Sequence, residues 1–407
     1  MFSDTSKNNT RTTFFAWFLL LGTSFVIRLI FVLFYPIIQP EGTRSYDALF
    51  TVLLKGNGYE IHARSLYILY TKLIYFFFGP YHFPVIIGNI VMSVTTVWVT
   101  GLLSQKILSK KFFCYYPAFL AALNPIFIFW TGYVFPDTMF MLFFSLAVWT
   151  ILSWQTAPSR RQLCYLGILS LALIFTRAHG LIVIPLLWGW LILSRFKNDI
   201  RDWYKIKTLN KALLISLTAA VALSFLALTA GTIYNIHQPT AKRTIPFTWL
   251  MGGHEPQNDM HIRLAGPNQT ELVRKENKPL IMKDVNSFKE HLRIALVKTK
   301  FFWIPVRDTF SLKHKITNTI IYSFIYLFAF TGIPFLWKTR KSFLFFTAAV
   351  FILYTTAAII CFPDPEGRYR LPCDLLLIII GSEGLGRMMH ALFSLHKKTN
   401  KTPEKPA

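Results

Sequence analysis

The chain has 407 residues, of which 53% are hydrophobic, 16% aromatic and only 15% charged, and its mean hydropathy is +0.43. A water-soluble domain does not carry that balance, so the main solvent of this chain is lipid. The formal charge of +24 falls in loops and a tail between apolar segments, where insertion topology and attraction to anionic headgroups account for it, so it gives no reason to invoke nucleic acid.

A helix that crosses the hydrocarbon needs roughly 20 mostly apolar residues. In chain order the candidates are 14–35, 83–103, 116–130, 138–154, the short pair 163–175 and 181–193, then 212–233, 316–336, 343–362 and 371–392. Helices are expected because lipid cannot satisfy an open sheet edge, so the fold class is an all-α polytopic membrane protein with about ten crossings. The first segment is too long for a signal h-region and lacks a small-residue cleavage site, which makes it an uncleaved anchor. Lys106, Lys110 and Lys111, then Arg160 and Arg161, then Arg195, Lys197, Arg201, Lys205 and Lys207 follow alternate segments. Such loops are cytoplasmic by the positive-inside rule, and with ten crossings Lys338, Arg340, Lys341 and the tail lysines fall on the same side. Within the first outer loop, Lys55-Gly56-Asn57-Gly58 is turn chemistry, and the aromatic run from Leu66, Tyr67 and Tyr70 to Phe78 reads as an interfacial helix. The organisation expected is an N-terminal bundle over 1–235 with its first outer loop at 36–82, an extracytoplasmic cap over 236–315, C-terminal helices over 316–392 and a basic tail over 393–407.

Ionisable residues near helix ends carry the functional signal, because a charge close to lipid is costly unless it is paired or lines a wet cavity. Arg28 lies within the first segment, where it either snorkels to the interface or works inside the bundle. Asp137 follows Pro136 at the outer start of the fourth segment, as a helix cap or as a reacting acid. Arg177, in the turn between the two short segments, is placed to grip a phosphate bidentately, and Arg368 and Arg370 add cations to the same face beside Tyr369. Glu41 and Asp47 are the acids of the first outer loop. A carboxylate opposite arginines suits glycosyl transfer: the acid takes the proton of an acceptor hydroxyl while the arginines stabilise a departing phosphate. Cys361 and Cys373 flank one outer loop as a bridge or as two small apolar residues. His254, Glu255, Asp259 and His261 lack the spacing of a helical metal site and read as loop residues.

Taken in order, Glu41 to Tyr59, Arg64 to Gly79, Asn124-Pro125 to Leu142, Thr176-Arg177 to Pro185 and Arg368-Tyr369-Arg370-Leu371-Pro372 resemble the polyprenyl-phosphate-dependent C-type glycosyltransferases, the group that includes protein O-mannosyltransferases (the dolichyl-phosphate-mannose-protein mannosyltransferase family) and the lipid A aminoarabinose transferase. The likeness leaves out the 236–315 insertion. It implies a sugar on a polyprenyl phosphate, a lipid, glycan or protein acceptor, and transfer on the periplasmic or lumenal face of a membrane, the bacterial inner membrane above all. By that resemblance a first-loop acid is the base, and Arg177 with Arg368 or Arg370 contacts the phosphate. Relatives usually carry an aspartate some four residues before the tyrosine aligned with Tyr46. Here Glu41 stands one residue farther away and Asp47 follows the tyrosine, so either is the base. Asp137 matches an acidic position of relatives, where it assists or, with Glu41, holds a divalent cation; no cofactor is otherwise implied. Two other classes stay open, a transporter or flippase of lipid-linked substrates and a catalytically silent envelope scaffold.

Overall fold

A computed structural model describes residues 4–34, 64–108, 115–177, 180–199, 296, 299–300, 302–304, 306, 312–361 and 367–399. The described residues form eleven helices and two 3-10 turns: α1 (Asp4–Phe34), α2 (Ser65–Phe78), α3 (His82–Ile107), α4 (Tyr115–Leu123), α5 (Pro125–Phe129), α6 (Asp137–Thr156), α7 (Arg160–Thr176), α8 (Gly180–Asp199), α9 (Leu312–Thr339), α10 (Lys341–Cys361) and α11 (Leu371–Thr399), with the turns at Trp130–Gly132 and Gly367–Arg370. Six stretches are long and apolar enough to cross a membrane: Phe14–Phe34, His82–Ile107, Asp137–Thr156, Leu312–Thr339, Lys341–Ala358 and Leu371–Leu392. The described residues are thus all-helical, and the protein is a multi-pass membrane protein. Its outer helices turn Phe14, Phe15 and Phe18 of α1 and Ile320, Phe324, Leu327 and Phe330 of α9 outward, as lipid-facing surfaces must. The expected segment at 212–233, nearly all of the 236–315 insertion and the end of the basic tail lie outside the described residues, as do Glu41 and Asp47.

The stretch 116–130, read from sequence as one crossing, is not one helix. Pro125 has no N–H to give and disfavours a helical Leu123–Asn124 link, so α4 stops at Leu123 and α5 begins afresh. The Asn124 side chain caps the new helix, its Oδ1 accepting from the amides of Ile126 and Phe127. On the other side of the break the carbonyls of Ala121 and Ala122 accept from the Arg28 guanidinium. Arg28 is fully buried; its Nε donates to Ser93 Oγ at 2.9 Å and its Nη1 to Ser24 Oγ at 2.6 Å. Of the two roles open to Arg28, the bundle interior is the one observed. Snorkelling fails because the break supplies carbonyl acceptors that water would otherwise have to supply.

The ends of the helices fall into two sets. At one end lie Lys106, stacked over Trp149, the exposed start of α7 at Arg160, and the Lys338 to Lys341 turn. The other end gathers Arg64, Phe135, Asp137, Arg177 and Tyr369. Between these ends, α9 and α11 approach backbone to backbone. A Cβ on Gly332 would run into the Ile380 carbonyl, and one on Gly384 into the Phe328 carbonyl and Thr331 Oγ1. Small residues serve this purpose in lipid, where close packing replaces the hydrophobic effect between helices. Helix α2 lies with Tyr67, Ile68 and Thr71 inward and Leu69, Leu73, Phe76 and Phe77 outward. Cys373 is a buried free thiol, while the Cys361 side chain lies outside the described residues.

Two outcomes test this packing. Gly384→Val should lower the thermal unfolding midpoint in detergent by an amount equivalent to about 1–3 kcal/mol, because backbone rather than a flexible side chain meets the added carbons. Arg28→Met should destabilise by about 2–4 kcal/mol, since it leaves the Ala121 and Ala122 carbonyls without donors; a midpoint unchanged from wild type would remove the guanidinium from this structural role.

Candidate active site

Four segments meet at the end of the bundle opposite the lysines. Helix α6 starts directly after Pro136, and Asp137 occupies its first turn, where the partial positive charge of the helix N-terminus favours a carboxylate. The Asp137 side chain does not cap the helix. Its Oδ1 instead accepts from Nη1 of Arg177, both side chains being buried. Asp137 Oδ2 is buried with no hydrogen-bond partner among the described residues. Arg177 follows the last turn of α7, its N–H donating to the Leu173 carbonyl at 3.1 Å, and its own carbonyl accepts from the Gly180 amide at 2.8 Å. This reversal brings the start of α8 against the α7 backbone, close enough that a Cβ on Gly180 would strike the Leu173 carbonyl. Glycine is required there by the close approach.

Two aromatic rings frame the Arg177 guanidinium, Phe135 at 5.6 Å and Tyr369 at 5.4 Å from their centroids. The Phe135 ring also carries the guanidinium of Arg64, 5.0 Å away at the start of α2. Arg64 forms no ion pair among the described residues, whereas Arg177 is matched by Asp137. The site therefore presents two guanidinium groups around one ring, one carboxylate and one phenol, drawn from positions 64, 135–137, 177 and 369. Chemically, that set is suited to hold an anion such as a phosphate, since guanidinium N–H groups arrive in planar pairs and the aromatic faces fix their planes.

Arg370, expected from sequence to face a phosphate, points inward. It is fully buried; its Nε donates to Asp374 Oδ1 at 2.8 Å, its Nη1 to the carbonyls of Phe302 at 3.0 Å and Trp303 at 2.7 Å, and its plane lies 4.4 Å over Tyr322. Burial pulls this guanidinium's pKa down, but Asp374 and the phenols of Tyr322 and Tyr326 outweigh that and leave it raised, so the group stays charged. The Arg368 side chain lies outside the described residues, although its backbone belongs to the Gly367–Arg370 turn. Tyr67 sits beneath the site as an anchor: its hydroxyl shares a hydrogen bond of 3.2 Å with Asn89, which also donates to the Tyr133 carbonyl at 2.8 Å. Asp374 and Tyr322 escaped the sequence reading. The spacing of Arg370 and Asp374, one helical turn apart, was the available signal.

Among the described residues no three His, Cys, Asp or Glu side chains come together. A small cavity lies below Asp137, lined by Ser93, Thr96, Phe127, Trp130, Thr138, Met141 and Leu371, with about 10 Å³ of room, enough for one water. No protein-family model matches the chain, and no curated protein sequence is significantly similar to it.

The buried pair makes a sharp thermodynamic test. Arg177→Gln should destabilise the protein by about 3–5 kcal/mol, because Asp137 is left as an uncompensated buried charge. Adding Asp137→Asn should recover a large part of that loss in a double-mutant cycle followed by thermal unfolding; strict additivity would show that the pair is not coupled.

Proposed function

We propose that this protein is an integral membrane glycosyltransferase that moves a sugar from a polyprenyl-phosphate donor to a lipid, glycan or protein acceptor. The observation that carries the reading is the meeting of Arg64, Asp137, Arg177 and Tyr369 at one end of the bundle. Each belongs to a different stretch of the ordered resemblance to the polyprenyl-phosphate glycosyltransferases, and they are up to three hundred residues apart in the chain. Under this reading the chain makes about ten crossings, lies in a bacterial inner membrane and works on the extracytoplasmic face, because the site end is the one away from the lysines.

In the reaction, the acceptor hydroxyl oxygen attacks the anomeric carbon and the bond from that carbon to the phosphate oxygen breaks. The bonding pair leaves with the polyprenyl phosphate, and the acceptor proton passes to a carboxylate. Arg177 and Arg64 stabilise the charge that grows on the departing phosphate in a site shielded from water. Asp137 orients Arg177 through Oδ1, and its buried Oδ2 is open to the acceptor or to a divalent cation bound with Glu41, which would help neutralise the phosphate. The base is Glu41 or Asp47. Arg370 supports the site from inside and does not grip the phosphate.

The carrier alternative gains nothing from Arg28 or the broken helix, features that transporters use to bind cargo. Every nitrogen of that guanidinium is already engaged by protein oxygens.

The test is transfer of sugar from a polyprenyl-phosphate donor in proteoliposomes, with Glu41→Gln, Asp47→Asn, Arg64→Gln and Arg177→Lys measured beside wild type. Loss of the base should reduce turnover by about a hundredfold or more, and loss of a guanidinium donor by about a hundredfold. Envelope glycan mass spectrometry with and without the protein should show a missing hexose, pentose or amino sugar. Wild-type turnover in all four variants would reject the mechanism.

A further inference from the structure

The buried polar network around Arg370 reaches two of the segments that frame the candidate site, the 135–137 stretch by way of the Asn124 cap and Tyr369 as the neighbour of Arg370. From Arg370 it runs through Asp374 to Tyr322, whose hydroxyl donates to Asp374 Oδ2 at 2.8 Å, and on to Asn124, whose Nδ2 lies 3.4 Å from the Tyr322 hydroxyl. Asn124 caps α5, and α5 leads through the Trp130–Gly132 turn to Phe135 and Asp137. In the other direction Arg370 Nη1 holds the carbonyls of Phe302 and Trp303, and the Tyr326 hydroxyl donates to the same Trp303 carbonyl. Trp303 is fixed again by its Nε1, which donates to Thr355 Oγ1 of α10 at 3.1 Å, while Phe302 is buried in the core. Residues 302–303 fall in the last part of the 236–315 insertion, and Tyr369, next to Arg370, is one wall of the Arg177 guanidinium.

We infer that Arg370, Asp374 and Tyr322 form a positioning latch that sets the root of the insertion and the Tyr369 wall against the Arg177–Asp137 pair; this rests on the proposed phosphate site. The guanidinium is used for its geometry. One planar group meets a carboxylate with one edge and two successive main-chain carbonyls with the other, which an ammonium cannot do. Without the guanidinium the Trp303 carbonyl would keep only the Tyr326 hydroxyl, and the Phe302 carbonyl would lose its side-chain donor. In lipid surroundings it has no water to fall back on. The Arg370–Asp374 pair and the Tyr322 hydroxyl therefore convert a local turn into a joint between the insertion, the last outer loop and the α4–α5 break. These three are positioning residues, acting on the anion through Tyr369 and Arg177.

The experiment uses the full chain in phospholipid nanodiscs, as Arg370→Lys, Tyr322→Phe and Arg177→Gln beside wild type. Two quantities are read, hydrogen exchange of peptides covering 299–306 and 367–372, and binding of a polyprenyl phosphate that carries no sugar. The latch predicts that Tyr322→Phe and Arg370→Lys both raise exchange in those peptides by about tenfold or more while the α6 amides keep wild-type protection. It also predicts weaker polyprenyl-phosphate binding by about tenfold in both, with the sugar donor's kcat falling more than its KM rises. Wild-type exchange in Tyr322→Phe, or full recovery of exchange and binding by the charge-conserving Arg370→Lys, overturns the latch. Tyr322→Phe removes one oxygen and leaves the ion pair in place, so it decides the matter even where Arg370→Lys fails to fold. Equal binding by Arg177→Gln and wild type overturns the phosphate site instead, whatever the exchange data show about the joint.

Discussion

A guanidinium withdrawn from water must find a protein acceptor for each of its nitrogens, and in lipid no other acceptor is at hand. Arg28 and Arg370 meet that demand in full, and together with Arg177 they draw together segments that are distant in sequence. Arg28 binds α1 to α3 and to the end of α4; Arg177 binds the end of α7 to the start of α6; Arg370 binds the Gly367–Arg370 turn to 302–303 and to α11. Apolar side chains of similar size slide past one another with little loss. Paired charges do not, because separating a buried pair strands a charge, and so the arginines fix the register that dispersion alone leaves loose.

That register makes the irregular backbone between 124 and 136 tolerable. A break in a membrane helix exposes carbonyls on one side and amides on the other. Arg28 takes the carbonyls of Ala121 and Ala122, the Asn124 side chain takes the amides of Ile126 and Phe127, and Asn89 donates to the Tyr133 carbonyl. The backbone thereby turns out of the helix path, and Phe135 and Asp137 arrive beside Arg177 instead of continuing a straight crossing. The close backbone contact of α9 and α11 at Gly332 and Gly384 acts in the same direction. It holds Tyr322 and Asp374 near enough to share one hydrogen bond.

Much of the fold was legible in the sequence, because hydropathy reports directly on transfer into lipid. Six of the expected crossings appear as long apolar helices, and the two segments read as short are α7, of 17 residues, and α8, whose apolar part is Val183–Ile192. The break inside 116–130 was missed although Asn124-Pro125 announces it, since a hydropathy window averages over a proline. For the site, the sequence offered the residue types and their order but not their directions. Asp137 stood between capping a helix and meeting a charge, and only the position of Arg177 decides that. Arg370 reads as a surface cation because a linear text does not show that the carbonyls of Phe302 and Trp303 wait behind it. Tyr67, one residue in an aromatic run, is an anchor on Asn89 for the same reason.

The arginines differ in how fully protein oxygens engage them. Every nitrogen of Arg28 and of Arg370 meets a protein oxygen. Arg177 is balanced by one oxygen of Asp137, and Arg64 has only the face of Phe135 beside it among the described charges and rings. Burial and neutralisation thus decrease together from Arg28 and Arg370 through Arg177 to Arg64. An arginine held against a carboxylate keeps its plane and its desolvation before any ligand binds, so the reorganisation that an exposed, hydrated guanidinium would undergo has already taken place during folding. Under the proposed function, the incoming phosphate then meets Arg64 first and Arg177 already aligned, and the Asp137 pair is the reason a buried cation can be kept at the site without it.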